Sequence, residues 1–195
     1  MAVTLGTKDR RSLAKFLKLS TRGDHDGVDQ MVMSSKPFAS QENYAKFLTL
    51  QYLFHLSVAP LYHHEPLQAI LPGLSTLSRL DAVEADLADL GLVPQIDADM
   101  VAKVDDVYEA IGWLYCSEGS NIGAAFLYKE TQKLYFDKDH GARHLASPIE
   151  GRALHWRQFV AQLDALELTD EQSHRVLKGA VDAFDFYKTT LRRIF

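Results

Sequence analysis

The residues of this chain that could bind a metal or attack a substrate are eight histidines, one cysteine and their neighbouring acids. Most stand at spacings that complete no site. Glu171-x-x-His174 has the i, i+3 spacing of a carboxylate-bridged di-iron centre, but such a centre needs two of these motifs plus further carboxylates. It occurs once, at an expected helix start, where Glu171 favours the helix dipole. His140 and His144 lie four apart across a glycine in the loop-like DKDHGARHLASP, two zinc ligands short of a closed site. His63-His64 follows an expected helix end and belongs in solvent. Cys116 could serve as a nucleophile or, as such residues more often do, as a small buried hydrophobe.

What these chemistries leave unexplained is YCSEGSNIGAAF, residues 115–126. It lies in a proline-free, helical-looking run, and each glycine inside a helix costs about 1 kcal/mol relative to alanine. At 100° per residue Gly112, Gly119 and Gly123 fall within about 40° of one another, a single bare stripe that Ser120 and Ala124 widen. A bare stripe lets something approach the helix backbone, either a second helix or a flat ligand. The polar setting SEGSN, and the bend that mid-helix glycines permit, favour the ligand.

Helical periodicity dominates the elements that must position this stripe, and strand alternation is scarce. A first helix is expected from near Thr7 with Leu13, Phe16 and Leu17 inward, followed by a break at Gly23. A second piece with His25, Val28 and Val32 on one face ends before Pro37. Ser40 should cap a long helix over QENYAKFLTLQYLFHLSVAPLY that ends near Pro60. Pro66 opens a short helix stopped by Pro72-Gly73, and Leu77–Leu90 forms another closed by Gly91. The glycine-bearing helix spans about Val101–Tyr135, and one follows near Ile149–Leu166. Thr169 and Gln172 form a capping-box pair ahead of the last helix, Val176–Ile194. The expected fold is all-α, one domain over residues 1–195.

The 195 residues suit one compact core, and a lone cysteine rules out an internal disulfide. The N-terminus lacks a signal-peptide pattern and no run is long enough for a membrane span, so a cytoplasmic protein without a membrane partner is expected. The net charge of -5 carries no nucleic-acid signal. Its distribution is uneven. Residues 1–22 hold Lys8, Arg10, Arg11, Lys15, Lys18 and Arg22 against Asp9, while residues 81–109 hold nine acids against Lys103. Arg11, Lys15, Lys18 and Arg22 form a basic helical stripe, either a solvated face or a contact for an acidic partner.

IGWLYCSEGSNIGAAF resembles the distal-helix signature of haem oxygenases, in particular the compact bacterial enzymes that extract iron from haem. HDGVDQMVMSSKPFAS is similar to their proximal-histidine segment. FLTLQYLFH, SRLDAV, DLADLG, GARHLA and HWRQFV follow in the family's order, so the resemblance runs from about Lys18 to Phe195. It implies a haem-oxygenase-like helical bundle with haem b held non-covalently between a proximal and a glycine-bent distal helix. The absence of CxxCH agrees with that.

Carried over by this resemblance, His25 is the axial ligand of the iron, and Gly119, Ser120 and Gly123 form the distal wall. Gln51, His55 and Arg79 touch the distal water network; the first two also share a helix face at i, i+4. Lys18 and Tyr115 take the positions that hold propionates in relatives cleaving at the α-meso carbon. Relatives that seat haem differently use a lysine one place beyond Lys129, where this chain has Glu130. Phe184 and Tyr187 border the haem, or else simply pack the core. The resemblance implies opening of haem to biliverdin with O2 and external electrons, releasing Fe2+ and CO, for iron acquisition. A ferredoxin, flavodoxin or NADPH-dependent reductase would supply the electrons to a monomer, and the basic stripe is one docking surface for it. Two rivals remain: a haem carrier that returns haem intact, and a thiaminase-like hydrolase on a similar scaffold with Cys116 as nucleophile.

Overall fold

The computed structural model describes residues 12–195, and its described residues contain helices and turns with one isolated bridge, Asp137 to Gly141, and no strand. Eight α-helices follow in order: α1 Leu13–Ser20, α2 Arg22–Ser34, α3 Gln41–Tyr62, α4 Glu65–Ile70, α5 Leu80–Asp89, α6 Val107–Thr131, α7 Arg152–Ala165 and α8 Asp170–Ile194. The expected all-α architecture is what forms.

Local chemistry sets the boundaries. Ser40 caps α3 by accepting from the Asn43 amide at 3.1 Å, and Thr169 with Gln172 forms the reciprocal capping box of α8. Three expectations need correction. Helix α1 begins at Leu13 under a Ser12 cap rather than near Thr7, a position outside the described residues. The break between α1 and α2 falls at Thr21, whose hydroxyl donates to the Leu17 carbonyl at 2.9 Å, and Gly23 lies inside α2. Helix α6 starts at Val107, six residues later than expected, because the Asp106 carboxylate accepts from both the Tyr108 and Glu109 amides. The chain before it is held as a loop, with the Ala102 amide donating to Ser57 Oγ at 3.0 Å.

Most of α3 and the first half of α6, through Glu118, lie in the interior; α8 is amphipathic and packs along α6. The larger core cluster joins Leu17, Phe54, Tyr62, Ile111, Leu114, Phe159 and Val176 from five of the helices. A second cluster joins Val32, Tyr44, Phe47, Leu145 and Leu191, and Tyr187 packs against both. Helices α2 and α6 pack against α8 rather than chiefly against each other, so α8 is the floor that both flank. No described helix is long and apolar enough to cross a membrane.

Candidate functional site

The glycine stripe on α6 does not face a single object, contrary to the sequence expectation. A methyl group at Gly112 would lie 2.1 Å from the Val176 carbonyl oxygen and 2.4 Å from the Ala180 amide. One at Gly179 would lie 2.0 Å from the Glu109 carbonyl oxygen. These two glycines are the point at which α6 and α8 cross backbone to backbone. Gly123, by contrast, has no neighbour within 4 Å of an added methyl, and at Gly119 the nearest atom is the Trp156 ring edge at 3.5 Å. The helix runs through both glycines without interruption. Ser120 is exposed beside them and donates to the Ser117 carbonyl at 2.7 Å. Ile122 and Phe126, 45 % and 53 % exposed, extend an apolar surface along the same end of the helix.

His25 stands on α2, with its side chain 62 % exposed. Its Nδ1 lies 3.3 Å from Asp29 Oδ2, one turn on, which leaves Nε2 on the other edge of the ring for a ligand. Phe184 of α8 meets the imidazole edge-on at 6.2 Å between ring centres. Lys188 of α8 ties down the adjacent Asp24 at 2.9 Å. So α8 fixes the histidine's helix at two places, through an aromatic edge and an ion pair. Tyr187, the next residue after Phe186, turns inward instead: its hydroxyl accepts from Gln51 Nε2 at 2.7 Å, and its ring meets Phe54 edge-on at 5.7 Å.

The remaining expected residues spread over the structure. His55 is buried on α3, and burial, with the positive fields of His144 and Arg79, pushes its pKa down to about 3. It is therefore neutral, and its Nδ1 has no hydrogen-bond partner. Arg79 stands at the start of α5 and donates to the carbonyls of His144 and Ala146. Tyr115 is 9 % exposed, its ring 5.7 Å from that of Trp156, and burial raises its hydroxyl to about 12. Lys15, Lys18 and Arg22 are exposed on α1 and at the start of α2; Lys8, Arg10 and Arg11 lie outside the described residues. Glu130, the residue standing where some relatives carry lysine, pairs with Lys133 at 2.6 Å.

Several buried polar residues went unnoticed in the sequence. Glu118, 1 % exposed and adjacent to Gly119, accepts from the Tyr62 hydroxyl and bonds His155 Nε2 at 2.6 Å. Asp86 binds the Arg143 and His144 amides and His144 Nδ1, leaving His144 Nε2 buried without a partner. Burial lowers the His144 pKa although Asp86 opposes it. A single sequence offers no signal for these, because each pairing joins residues on different elements. Cys116 contacts the Ala180 carbonyl at 3.5 Å, and burial raises its thiol well above the ordinary range. That is the reverse of an activated nucleophile and counts against the hydrolase rival.

These features fit a haem. A flat ring can lie against backbone only where side chains are missing, as at Gly119 and Gly123, and its apolar edge matches Ile122 and Phe126. An exposed neutral-capable imidazole with a carboxylate on its Nδ1 is the donor that a haem iron takes.

Known proteins agree with this reading. Residues 11–193 match the heme oxygenase family. The chain is 46 % identical over 180 residues to heme oxygenase PigA of Pseudomonas aeruginosa, covering 92 % of this chain and 91 % of that one. It also superposes on the NO- and CO-bound heme oxygenase of Neisseria meningitidis with a TM-score of 0.90 at 49 % identity, covering 94 % of this chain and 92 % of the other. With nearly its whole length matched, the chain belongs to the haem oxygenase family.

Proposed function

We propose that the chain, as one domain over residues 1–195, is a haem-degrading monooxygenase that opens haem to biliverdin and releases Fe2+ and CO. Haem is both substrate and cofactor, and O2 and reductant electrons are consumed. The observation that carries this reading is the open backbone at Gly119 and Gly123 in a chain of this family.

Bound haem supplies an iron that activates dioxygen and the porphyrin carbon that is oxidised. The protein's part is placement. His25 would hold the iron through Nε2, while Asp29 on Nδ1 orients the ring. Gly119 and Gly123 would present backbone rather than side chain to the haem, and neither offers a side chain that could ligate the iron. Ser120 edges that wall. Phe184 keeps the imidazole plane from turning. Behind the wall, Gln51, held by Tyr187, together with neutral His55 and Arg79, would order the waters that carry protons. The orphaned Nδ1 of His55 is a polar atom that such a water would satisfy.

Lys18 and Tyr115 would receive the propionates, which favours the α isomer of biliverdin; Glu130, already paired with Lys133, offers no competing cation at its position. The enzyme would act as a cytoplasmic monomer in iron acquisition, with an acidic ferredoxin, flavodoxin or NADPH-dependent reductase docking on the basic stripe that includes Lys15 and Arg11.

One assay tests the reading. Haemin titrated into the protein should raise a Soret band that saturates near one haem per chain, and ascorbate in air should bleach it into the broad red absorption of biliverdin, identified as the α isomer. A Soret band that survives, with haem recovered intact, would make the protein a carrier. In the same assay, Lys15→Glu should slow donor-driven turnover and leave ascorbate-driven turnover alone; equal donor kinetics would remove the docking surface.

A further inference from the structure

Helix α7 meets the distal helix at two consecutive positions. His155 bonds Glu118 at 2.6 Å, and the next residue, Trp156, lays its ring edge where a side chain at Gly119 would begin. Trp156 also stacks on Phe159 and tilts against Tyr115, so its place is fixed from both helices. The Glu118 carboxylate is engaged on all sides: Tyr62 of α3 donates to Oε1, His155 of α7 bonds Oε2, and Asn121 Nδ2 lies 3.5 Å from Oε2. The Tyr62 hydroxyl also lies 2.8 Å from Ser117 Oγ, one residue earlier on α6. A buried carboxylate is costly to keep unless it is paired and fully hydrogen-bonded, and here the pairing crosses three helices just before the bare segment.

We propose that Glu118 and His155 are positioning residues that set the distance between the Gly119–Gly123 backbone and the bound haem. This rests on the haem oxygenase reading above. The proposal explains why a charged pair sits in a core that apolar residues could fill: a hydrogen-bonded ion pair defines one separation, whereas apolar side chains slide. The face it fixes is the one that carries no side chain at Gly119 and Gly123.

The charged and titratable groups around His155 are Glu118 on α6, Glu150 on the loop before α7 with Oε1 3.2 Å from Nδ1, and Tyr62 on α3 behind Glu118. Arg79 acts electrostatically on Glu118, and Arg152, which also acts on Arg79, stands three residues before His155 on α7. The bond to Glu118 and the neighbouring Glu150 outweigh burial and raise the His155 pKa.

The test compares wild type, Glu118→Gln, His155→Asn and, as a control away from the site, Lys178→Ala on α8, which loses its contacts to Glu109 of α6 and Asp182. The carbon monoxide stretching band of the reduced haem complex reports the distance and polarity of the distal wall. In both brace variants this band should shift or split, biliverdin should become a mixture of isomers, and turnover should fall about tenfold, as a displacement of under 1 Å would give. Haem affinity should change less than about twofold and the control should match wild type, because His25 is untouched. In wild type the band should change with pH in step with His155, followed by ring-carbon NMR in the haem-free protein; this holds even if a variant fails to fold. A band and isomer ratio equal to wild type in the folded variants, or a wild-type band indifferent to the titration of His155, would overturn the brace. Loss of the Soret band from wild type would overturn the haem reading instead.

Discussion

Gly112 and Gly119 lie on the same face of α6, seven residues apart, and do opposite things. At Gly112 the missing side chain is filled by another helix, with the Val176 carbonyl oxygen 2.1 Å from where a Cβ would be. At Gly119 the nearest atom is an ordinary van der Waals contact away, and at Gly123 there is no neighbour within 4 Å. One end of the helix uses glycine to close a gap and the other uses it to keep one open. A glycine stripe in a sequence therefore has no single meaning; what crosses the helix at each turn decides it. Here the α8 backbone comes closest at residues 109–112, whereas on the face of Gly119 and Gly123 the nearest atom is the Trp156 ring edge of α7.

The comparison is put most at risk at the closed end. Gly112→Ala would drive a methyl group into the backbone of α8, which cannot move aside as a side chain can, and should cost about 3 kcal/mol or more. Gly179→Ala should do the same from the other side. Urea unfolding of the haem-free protein would measure both. The fraction that stays folded should still bind haem. A loss below about 0.5 kcal/mol would mean that the two helices do not touch as described.

A second contrast, between two histidines, is electrical. His55, buried near His144 and Arg79, has a pKa lowered to about 3, so in acid the unfolded chain takes up a proton there that the folded one refuses. Its contribution to stability is intact above about pH 6.5 and is lost as pH falls from there toward 3. His155, beside Glu118, has a raised pKa and the opposite sign: its contribution is full below about pH 6.5 and fades as pH climbs through the raised value. Each group adds a slope of up to about 1.4 kcal/mol per pH unit in its own window. Unfolding free energies of the haem-free protein from pH 5 to 9 should therefore fall on both sides of the neutral range. His155→Asn should flatten the alkaline limb alone, and His55→Gln the acid limb alone. If His155→Asn changed only the acid limb, the His155–Glu118 pair would not be charged.

Much of this arrangement was legible in the sequence because it is local. The Ser40 and Thr169 caps act on amides three residues away, and they placed the starts of α3 and α8 correctly. The errors came where a local signal had a rival. Gly23 looked like a break, yet Thr21 made it, by turning its hydroxyl back to Leu17. The polar SEGSN segment pointed to the open face at Gly119 and Gly123, and the family resemblance proposed His25 as the iron ligand. Neither could show Glu118 meeting Tyr62 and His155, because those contacts depend on α3 and α7 lying beside α6. Glu118 sits amid exposed-looking residues, and only its burial gives it away.

The smallest expected change in stability is also the one that separates the two ends most cleanly. Gly123→Ala adds a methyl group into open space on an unbroken helix, so the haem-free protein should gain about 0.5–1 kcal/mol from the lower backbone entropy of its unfolded chain. Gly119→Ala should gain similarly or less, since its methyl group meets the Trp156 ring edge at 3.5 Å. With haemin the sign should reverse. A methyl group on the wall pushes the ring away from the backbone, so both variants should bind haem more weakly and turn it over more slowly while melting at higher temperature without it. Stabilisation of the empty protein with loss of the ligand is hard to produce by general damage, which lowers both. If Gly123→Ala instead lost stability as Gly112→Ala does, the open end would be a packing surface, and the two glycines would differ only in how tightly they are packed.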